Sequence, residues 1–446
     1  MADRTGAAGR VAALCALCAC CLLLAASRPS RAGPSLDAAI ERDGQVAAGR
    51  AHGDLAETAP PAGITLAGEA SRNGLAPQFV AGPFNARGGL RLQSGTFDVG
   101  SRGQLRLGLS WREGPGRKPG FEGSSFVWPL ERGGPNAAYA SVQRRHWGPG
   151  WAGSLILDGA APAIPALGWR RTPVQSSPGR RLSMIGPWGA DLFVGRLQGH
   201  RNAARPQVIG MRFVFAPIEE LELGLARVLQ WGGRGRDESS SSLIDALLGN
   251  DNVGFGGITA DNEPGNQLAG LDFRWLVDRA HETSVYGQMV GEDEAGLFPS
   301  RNMVLVGVDT RLGGAQGRLR LFFEWVDTLA GRVSRDPRPF VAYRHSSFER
   351  GYTQEGTVLG HPLGGDVRAG SLGLLHSDAG LAAQVTLTIG QAEPTAHYFA
   401  PGRVLGLGLA AQADLQSAWR IGVNAAFWHD RAGRRGSAQA WLLRRF

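Results

Sequence analysis

The sequence predicts an all-β fold, a transmembrane antiparallel β-barrel. Three observations carry this. Short segments that alternate apolar and polar residues recur from about Leu75 onward. Beyond the N-terminal stretch, no apolar run approaches the roughly 18–20 residues that a spanning helix needs. The first thirty-odd residues read as a secretory signal, and the last alternating segment ends on Phe446. In lipid every backbone polar group must be paired, so an exported chain that crosses without helices crosses as a closed barrel.

The N-terminal element comes first. Arg4 and Arg10 precede an apolar stretch from Val11 to Ala26, and Ser30 and Ala32 offer small residues at the usual cleavage spacing. Residues 1–32 are therefore read as a signal peptide. All four cysteines, Cys15, Cys18, Cys20 and Cys21, lie inside it, so the mature chain has no disulfide or thiol chemistry to use. A lipoprotein with Cys20 or Cys21 acylated would require an unusually short apolar core. Residues 33–74 are rich in Ala, Gly and Pro and read as a periplasmic linker with a short helix from Leu36 to Val46. The whole chain carries a net charge of +8, and removing the signal, with four Arg and one Asp, leaves about +5. That basic balance suits an anionic polysaccharide or lipopolysaccharide phosphate, but equally plain solubility or a charged lumen. Nucleic acid is not expected as a partner of an exported protein.

From residue 75 to 446 the pattern has a period of two. A lipid-facing strand puts apolar residues outward and polar or small ones inward. Leu105, Leu107, Leu109 and Trp111 alternate with Gln104, Arg106, Ser110 and Arg112. Leu319, Leu321, Phe323 and Trp325 alternate with Arg318, Arg320 and Glu324. Leu381, Ala383, Val385, Leu387 and Ile389 alternate with Gln384, Thr386 and Thr388. Segments 405–415 and 419–428 repeat this, and 208–215, 220–227, 271–277 and 303–312 are similar. A soluble sandwich or propeller also alternates, but its outward faces would be polar. Trp111, Trp325 and Trp419 near segment ends suit an interfacial aromatic girdle. In the last segment Ala438, Ala440, Leu442 and Phe446 are in phase, and a terminal Phe there resembles the address read by the barrel insertion machinery.

If the C-terminal end is periplasmic, the turns near Gln416 and Asp378 are periplasmic too. Segments 429–436, 391–403 and 345–366 then form longer outer loops. Continued further back, the same count puts an insertion at residues 232–267 at the periplasmic mouth. That insertion holds a candidate amphipathic helix around Ser242–Leu248. A loop of that length is commonly functional or a plug.

Several motifs are more specific than composition. His146-Trp147-Gly148-Pro149-Gly150-Trp151 precedes Ser154-Leu155-Ile156-Leu157. Gln230-Trp231-Gly232-Gly233 opens the insertion, and Asn262-Glu263-Pro264-Gly265-Asn266-Gln267 closes it. Tyr286-Gly287-Gln288 leads to Glu292-Asp293-Glu294, and Gly351-Tyr352-Thr353 to Gly360-His361-Pro362-Leu363-Gly364-Gly365-Asp366. In this order, over about residues 75–446, the chain resembles the capsule assembly family Wzi. Where the family's motif has two adjacent Trp, this chain has His146-Trp147. The resemblance implies a bacterial outer-membrane barrel of about 18 strands with a largely occluded lumen. It also implies a lectin-like role, holding capsular or related exopolysaccharide at the cell surface.

Polysaccharide binding needs an aromatic platform for the apolar face of a sugar and charged groups for hydroxyls and uronates. Arg350, Tyr352, His361, His397, Tyr398, Arg431, Arg434 and Arg435 offer both, although exposed aromatics and arginines are also ordinary loop residues or lipopolysaccharide contacts. Glu292, Asp293 and Glu294 offer carboxylates to a divalent cation, or a solvated turn, the simpler reading. The Trp147–Trp151 stretch reads as a rigid turn before it reads as a sugar site. Arg106, Arg112, Asp309, Arg311, Arg318, Arg320 and Glu324 form either an ion-pair lattice that blocks a pore or the lining of an anion-selective channel. No Gly-x-Ser-x-Gly elbow occurs, and no phosphate-binding helix follows Gly406-Leu407-Gly408. The expectation is a monomeric, non-catalytic barrel without metal or cofactor. Its partners would be an acidic surface polysaccharide and the lipid and lipopolysaccharide of the outer membrane. The alternatives are an anion-preferring porin or oligosaccharide channel and, more remotely, an outer-membrane enzyme.

Overall fold

The computed structural model describes residues 63–445, apart from 73–87, 114–117, 175–184, 200–204, 249–264, 295–298, 315–317, 332–335, 346–347, 349, 378–379 and 417–418. The signal, the short helix expected at Leu36–Val46 and Phe446 lie outside the described residues.

The described residues are almost entirely β. The strands are β1 (Gly63–Arg72), β2 (Gly88–Val99), β3 (Gly103–Glu113), β4 (Lys118–Gly120), β5 (Ser125–Pro129), β6 (Asn136–Gln143), β7 (Ile164–Val174), β8 (Trp188–Arg196), β9 (Gln207–Ile218) and β10 (Leu221–Trp231). A helix, α1 (Ser240–Leu248), precedes β11 (Gly265–Asp278), β12 (Thr283–Glu294), β13 (Pro299–Leu312) and β14 (Leu319–Gly331). A small hairpin, β15 (Thr353–Gln354) and β16 (Thr357–Val358), stands apart. Then come β17 (Val367–Ser377), β18 (Leu381–Ala392), β19 (Gly402–Gln416), β20 (Trp419–Asp430) and β21 (Gly433–Arg445).

Neighbouring strands pair antiparallel, and β1 closes the ring by pairing with both β2 and β21, Leu66 opposite Leu92 on one side and Leu442 on the other. The ring is the 19-stranded sheet, in which β4 and β5 both lie along β3 as two pieces of one stave. That makes eighteen staves, an even number that lets a closed antiparallel barrel bring its two ends together. At the break between β4 and β5, Ser124 Oγ accepts from Gly108 N at 2.8 Å and donates to Gly108 O at 3.0 Å, so both backbone groups stay paired. The first stave, at Gly63–Arg72, lies inside the segment read from sequence as linker.

The facing follows the alternation. In β18, Leu381, Val385, Leu387 and Ile389 are exposed, while Gln384, Thr386 and Thr388 are buried. In β14, Leu319 and Phe323 face outward, and Arg320, Phe322, Glu324 and Val326 are buried inside. An outward row this apolar is stable only against lipid.

Gly63 pairs with Arg445, so the chain enters β1 and leaves β21 at one rim. That rim also carries the tight turn between β9 and β10 and those after β11 and β19. The opposite rim carries the connections 144–163, 232–264, 332–366 and 393–401. Long loops face outward in outer-membrane barrels.

Two expectations are corrected here. The insertion at 232–267 opens on the outer rim, not at the periplasmic mouth. The backward count missed β12, whose outward row Val285, Gly287, Met289 and Gly291 is interrupted by glycines; its inward residues are Tyr286, Gln288, Val290 and Glu292. One missing stave reverses the sidedness of everything before it. Segment 429–436 is not a long loop either. Only Arg431 and Ala432 separate β20 from β21, and His429 pairs with Arg434 in register.

Helix α1 lies against the outer face of the wall. Leu225, on the outward row of β10, is exposed, yet Leu229 and Trp231 on that same row are buried under Ala246, Leu243 and Leu247. Arg227 Nη1 donates to Leu247 O at 2.7 Å, which caps the C-terminal carbonyls of the helix. The helix therefore buttresses the wall and does not close the lumen.

Candidate functional site

The lumen is filled by chain 144–163, folded inward from the outer rim. Trp147, Trp151, Leu155, Ile156 and Leu157 are buried with the wall residues Tyr139, Phe193, Tyr286 and Phe322 in one core. Close approach dictates the glycines. A Cβ at Gly150 would collide with Gly153 O, and one at Gly153 would stand 2.7 Å from the His361 ring. His146 Nδ1 lies 2.9 Å from Asp158 Oδ2, which staples the two ends of the segment.

Wall side chains supply the partners that this non-sheet backbone lacks. Gln288 Oε1 accepts from Leu155 N at 2.7 Å and its Nε2 donates to Trp147 O at 2.8 Å. Glu324 Oε2 accepts from Trp151 N at 2.8 Å and from Tyr286 OH at 3.1 Å. Trp151 Nε1 donates to Asp309 Oδ2 at 3.0 Å, and its ring stacks on Phe322 with centroids 6.2 Å apart. Arg274 and Arg320 both pair with Asp309, and Arg320 Nη2 reaches Glu282 at 2.8 Å. Arg311 joins Glu282 at 3.0 Å. Of the two readings of the lumen charges, the lattice is the one built for Asp309, Arg311 and Arg320, while Glu324 bonds the plug backbone and Tyr286. Arg106 is buried inside, Arg318 is exposed at the turn rim, and the Arg112 side chain is outside the described residues.

A second outer segment, 336–366, lies over the first. Tyr343 and Tyr352 stack at 6.2 Å and donate to Leu155 O and Ile156 O, each at 2.8 Å. Glu292 Oε1 accepts from Tyr343 N.

A plugged barrel with these motifs has a counterpart among known proteins. Residues 140–425, well over half of the chain, match the family model described as capsule assembly protein Wzi. The chain belongs to the Wzi family. It is 36% identical over 220 residues to an uncharacterised 55.8 kDa protein in the cps region of Klebsiella pneumoniae, a match over 46% of this chain and 43% of that protein. The chain thus spans less than half the length of that relative. Among solved structures it resembles Wzi of Escherichia coli, described as an outer membrane protein involved in group 1 capsule assembly and a carbohydrate-binding β-barrel. That likeness has a TM-score of 0.69 at 25% identity and covers 87% of this chain and 86% of the other. This Wzi-family chain is an outer-membrane barrel.

The residues singled out for polysaccharide binding divide sharply. Tyr352 and His361 are buried at 0% and 1% exposure, so neither offers a ring to an external sugar. His361 N donates to Tyr343 OH at 3.0 Å, and burial pushes its imidazole pKa down to about 4. His397 Nδ1 accepts from Gly365 N at 3.0 Å, and Tyr398 OH accepts from Val358 N at 2.8 Å, so both polar tips are used by loop backbone. Burial takes the His397 pKa down to about 3, and the Arg344 charge adds to the effect. Arg435 bonds Asp430 Oδ2 at 2.6 Å and the Tyr398 carbonyl from the lumen side. Arg434 sits on the opposite face of β21, because neighbouring strand residues alternate. Arg434, Arg431 and Arg350 are exposed. The three arginines of 431–435 therefore do not converge.

The motif residues are mostly structural. Trp231 Nε1 donates to Ser242 Oγ at 2.9 Å, and Asn266 Nδ2 to Gln230 Oε1 at 3.3 Å. Asp366, at φ 65, accepts from Phe340 N at 2.9 Å, and Gly364 has φ 76. Pro264 and the side chains of Asp293 and Glu294 are outside the described residues. Among the described residues no group of three His, Cys, Asp or Glu is placed to hold a metal ion.

Sequence reasoning missed Phe340 altogether. It is 64% exposed on the outer segment, with φ 69 and the Arg344 guanidinium 4.6 Å from its ring centroid. The signal available was Arg338-Pro339-Phe340, an exposed-loop pattern with an aromatic where a turn prefers glycine.

Proposed function

We propose that the protein holds capsular or related exopolysaccharide at the cell surface through its outer face and catalyses no reaction. The observation that carries this is the filled lumen. Segment 144–163 is bonded to Gln288, Asp309 and Glu324 on the wall and overlaid by Tyr343 and Tyr352. A plug bonded to the wall in this way leaves the outer loops as the surface on which a polymer can act. Wzi of Escherichia coli, described as carbohydrate binding, supports the same reading. Individual contacts to an exposed glycan are weak, and affinity comes from many repeats engaging many barrels.

The experiment is a deletion strain assayed for cell-bound against shed polysaccharide. Shedding, reversed by the wild-type chain, supports the proposal. Unchanged retention removes it. The competing reading, an anion-preferring channel, would require the plug to leave.

A further inference from the structure

We propose that Phe340, with the arginines beside it, is a stacking subsite for one pyranose ring of an acidic polysaccharide. This rests on the polysaccharide-binding reading above.

The argument starts from two successive turns. Pro339–Phe340 and Ala342–Tyr343 each place an aromatic at positive φ, 69 and 61, where glycine is preferred. The second turn is closed by Arg344 N donating to Val341 O at 3.0 Å. A bulky residue in this region is strained and persists only where its surroundings over-determine it. For Tyr343 the reason is visible. Its ring is fully buried, and its hydroxyl donates to the plug at Leu155 O. Phe340 has no such return, since it is 64% exposed.

The backbone is nevertheless fixed to present it. Phe340 N donates to Asp366 Oδ2 at 2.9 Å, and Asp366 N donates to Thr328 O at 3.2 Å, at the outer end of β14. Arg344 lies 4.6 Å from the ring centroid and is tied by Nη2 to Thr395 O of the 393–401 loop. One side of the ring is thus braced by a cation, which fixes the ring's orientation. The rest is open. The C–H face of a pyranose is the apolar surface that such a ring accepts.

The flanks choose the ligand class. Asp336 and Arg338 are exposed on the same short segment. A ring between exposed charges is poorly suited to bury itself in acyl chains, whereas Arg338 can give a uronate a charge-assisted hydrogen bond.

The test uses the full barrel in detergent and the purified acidic polysaccharide of the producing cell, immobilised as fragments, with vesicles of lipopolysaccharide and phospholipid run in parallel. Phe340→Gly should fold as well as wild type or better, because it relieves the positive φ. It should still weaken fragment binding by about tenfold, the scale of one aromatic contact. Phe340→Trp should keep binding within about threefold of wild type. Arg338→Ser should flatten the salt dependence of binding. Wild type that binds no fragment sinks the functional reading and this subsite with it. Wild type that binds, with Phe340→Gly binding equally, overturns the subsite alone. Loss of vesicle binding with fragment binding intact makes Phe340 a membrane contact and overturns it as well.

Discussion

Trp151 Nε1 donates to Asp309 Oδ2 at 3.0 Å, joining the lumen plug to the wall across 158 positions of sequence. Asp309 is also the meeting point of Arg274 and Arg320, so one carboxylate accepts from the plug and balances two buried cations. Trp151→Ala should cost about 3–5 kcal/mol, the usual penalty for deleting a buried Trp. Asp309→Asn should be comparably costly, since it leaves two buried guanidinium groups undercompensated. Heat-modifiable migration in urea would measure both, and wild-type midpoints for both variants would mean that the plug is not anchored here.

The lipid face should reject charge. Val385 lies on the outward row of β18 at 46% exposure. Val385→Arg should cost about 2–4 kcal/mol if it lies near the bilayer midplane, and Val385→Leu should cost little. On the lumen row the neighbouring Thr386 is 1% exposed and accepts from Gln384 Nε2 at 2.9 Å, so the larger amide of Thr386→Gln must displace packed neighbours. Folding yield into vesicles would rank these variants. Equal tolerance of Arg and Leu at 385 would reverse the facing.

Acid should loosen the outer segments. His361 has a folded pKa of about 4 against an ordinary 6.5, the cause being burial opposed by Asp158. His397, packed against Tyr343 and Tyr398, lies at about 3, burial being the main cause and the Arg344 charge adding to it. Both are held neutral in the fold, so the unfolded loop binds more protons once pH falls below about 6.5. Stability is therefore full above that pH and is lost progressively toward pH 4, by up to roughly 3 kcal/mol for His361. Proteolysis of residues 336–366 should accelerate over this range. The double variant His361→Asn, His397→Asn should remove most of that acceleration, and an unchanged pH profile would exclude these imidazoles as its source.

Arg434 and Arg435 are neighbours with different tasks. Arg435 bonds Asp430 at 2.6 Å and the Tyr398 carbonyl, and its guanidinium lies 5.2 Å from the Phe399 ring centroid. Arg435→Ser should free the 393–401 loop, read as faster hydrogen exchange there. Arg434→Ser should leave that exchange unchanged. The same response from both would place the two side chains on one face.

The barrel was legible because lipid enforces alternation strongly, as in Leu381–Ile389 and Leu105–Trp111. The alternation failed at β12, where Gly287 and Gly291 interrupt the outward row of Val285 and Met289. The motif Tyr286-Gly287-Gln288 was legible, but its meaning was not. Gln288 works by pairing with Trp147 and Leu155 from far away in sequence, and no local spacing encodes that. The binding residues were the least legible. Tyr352 and His361 have the composition of a sugar platform, and only the tertiary fold shows that they bury it against the plug.

Planar-bilayer recording of the purified wild-type protein distinguishes a closed barrel acting at its outer face from a channel. The filled lumen predicts insertion without steady unitary conductance over the ordinary voltage range. Large, steady currents that prefer anions would contradict it and return the chain to the channel reading.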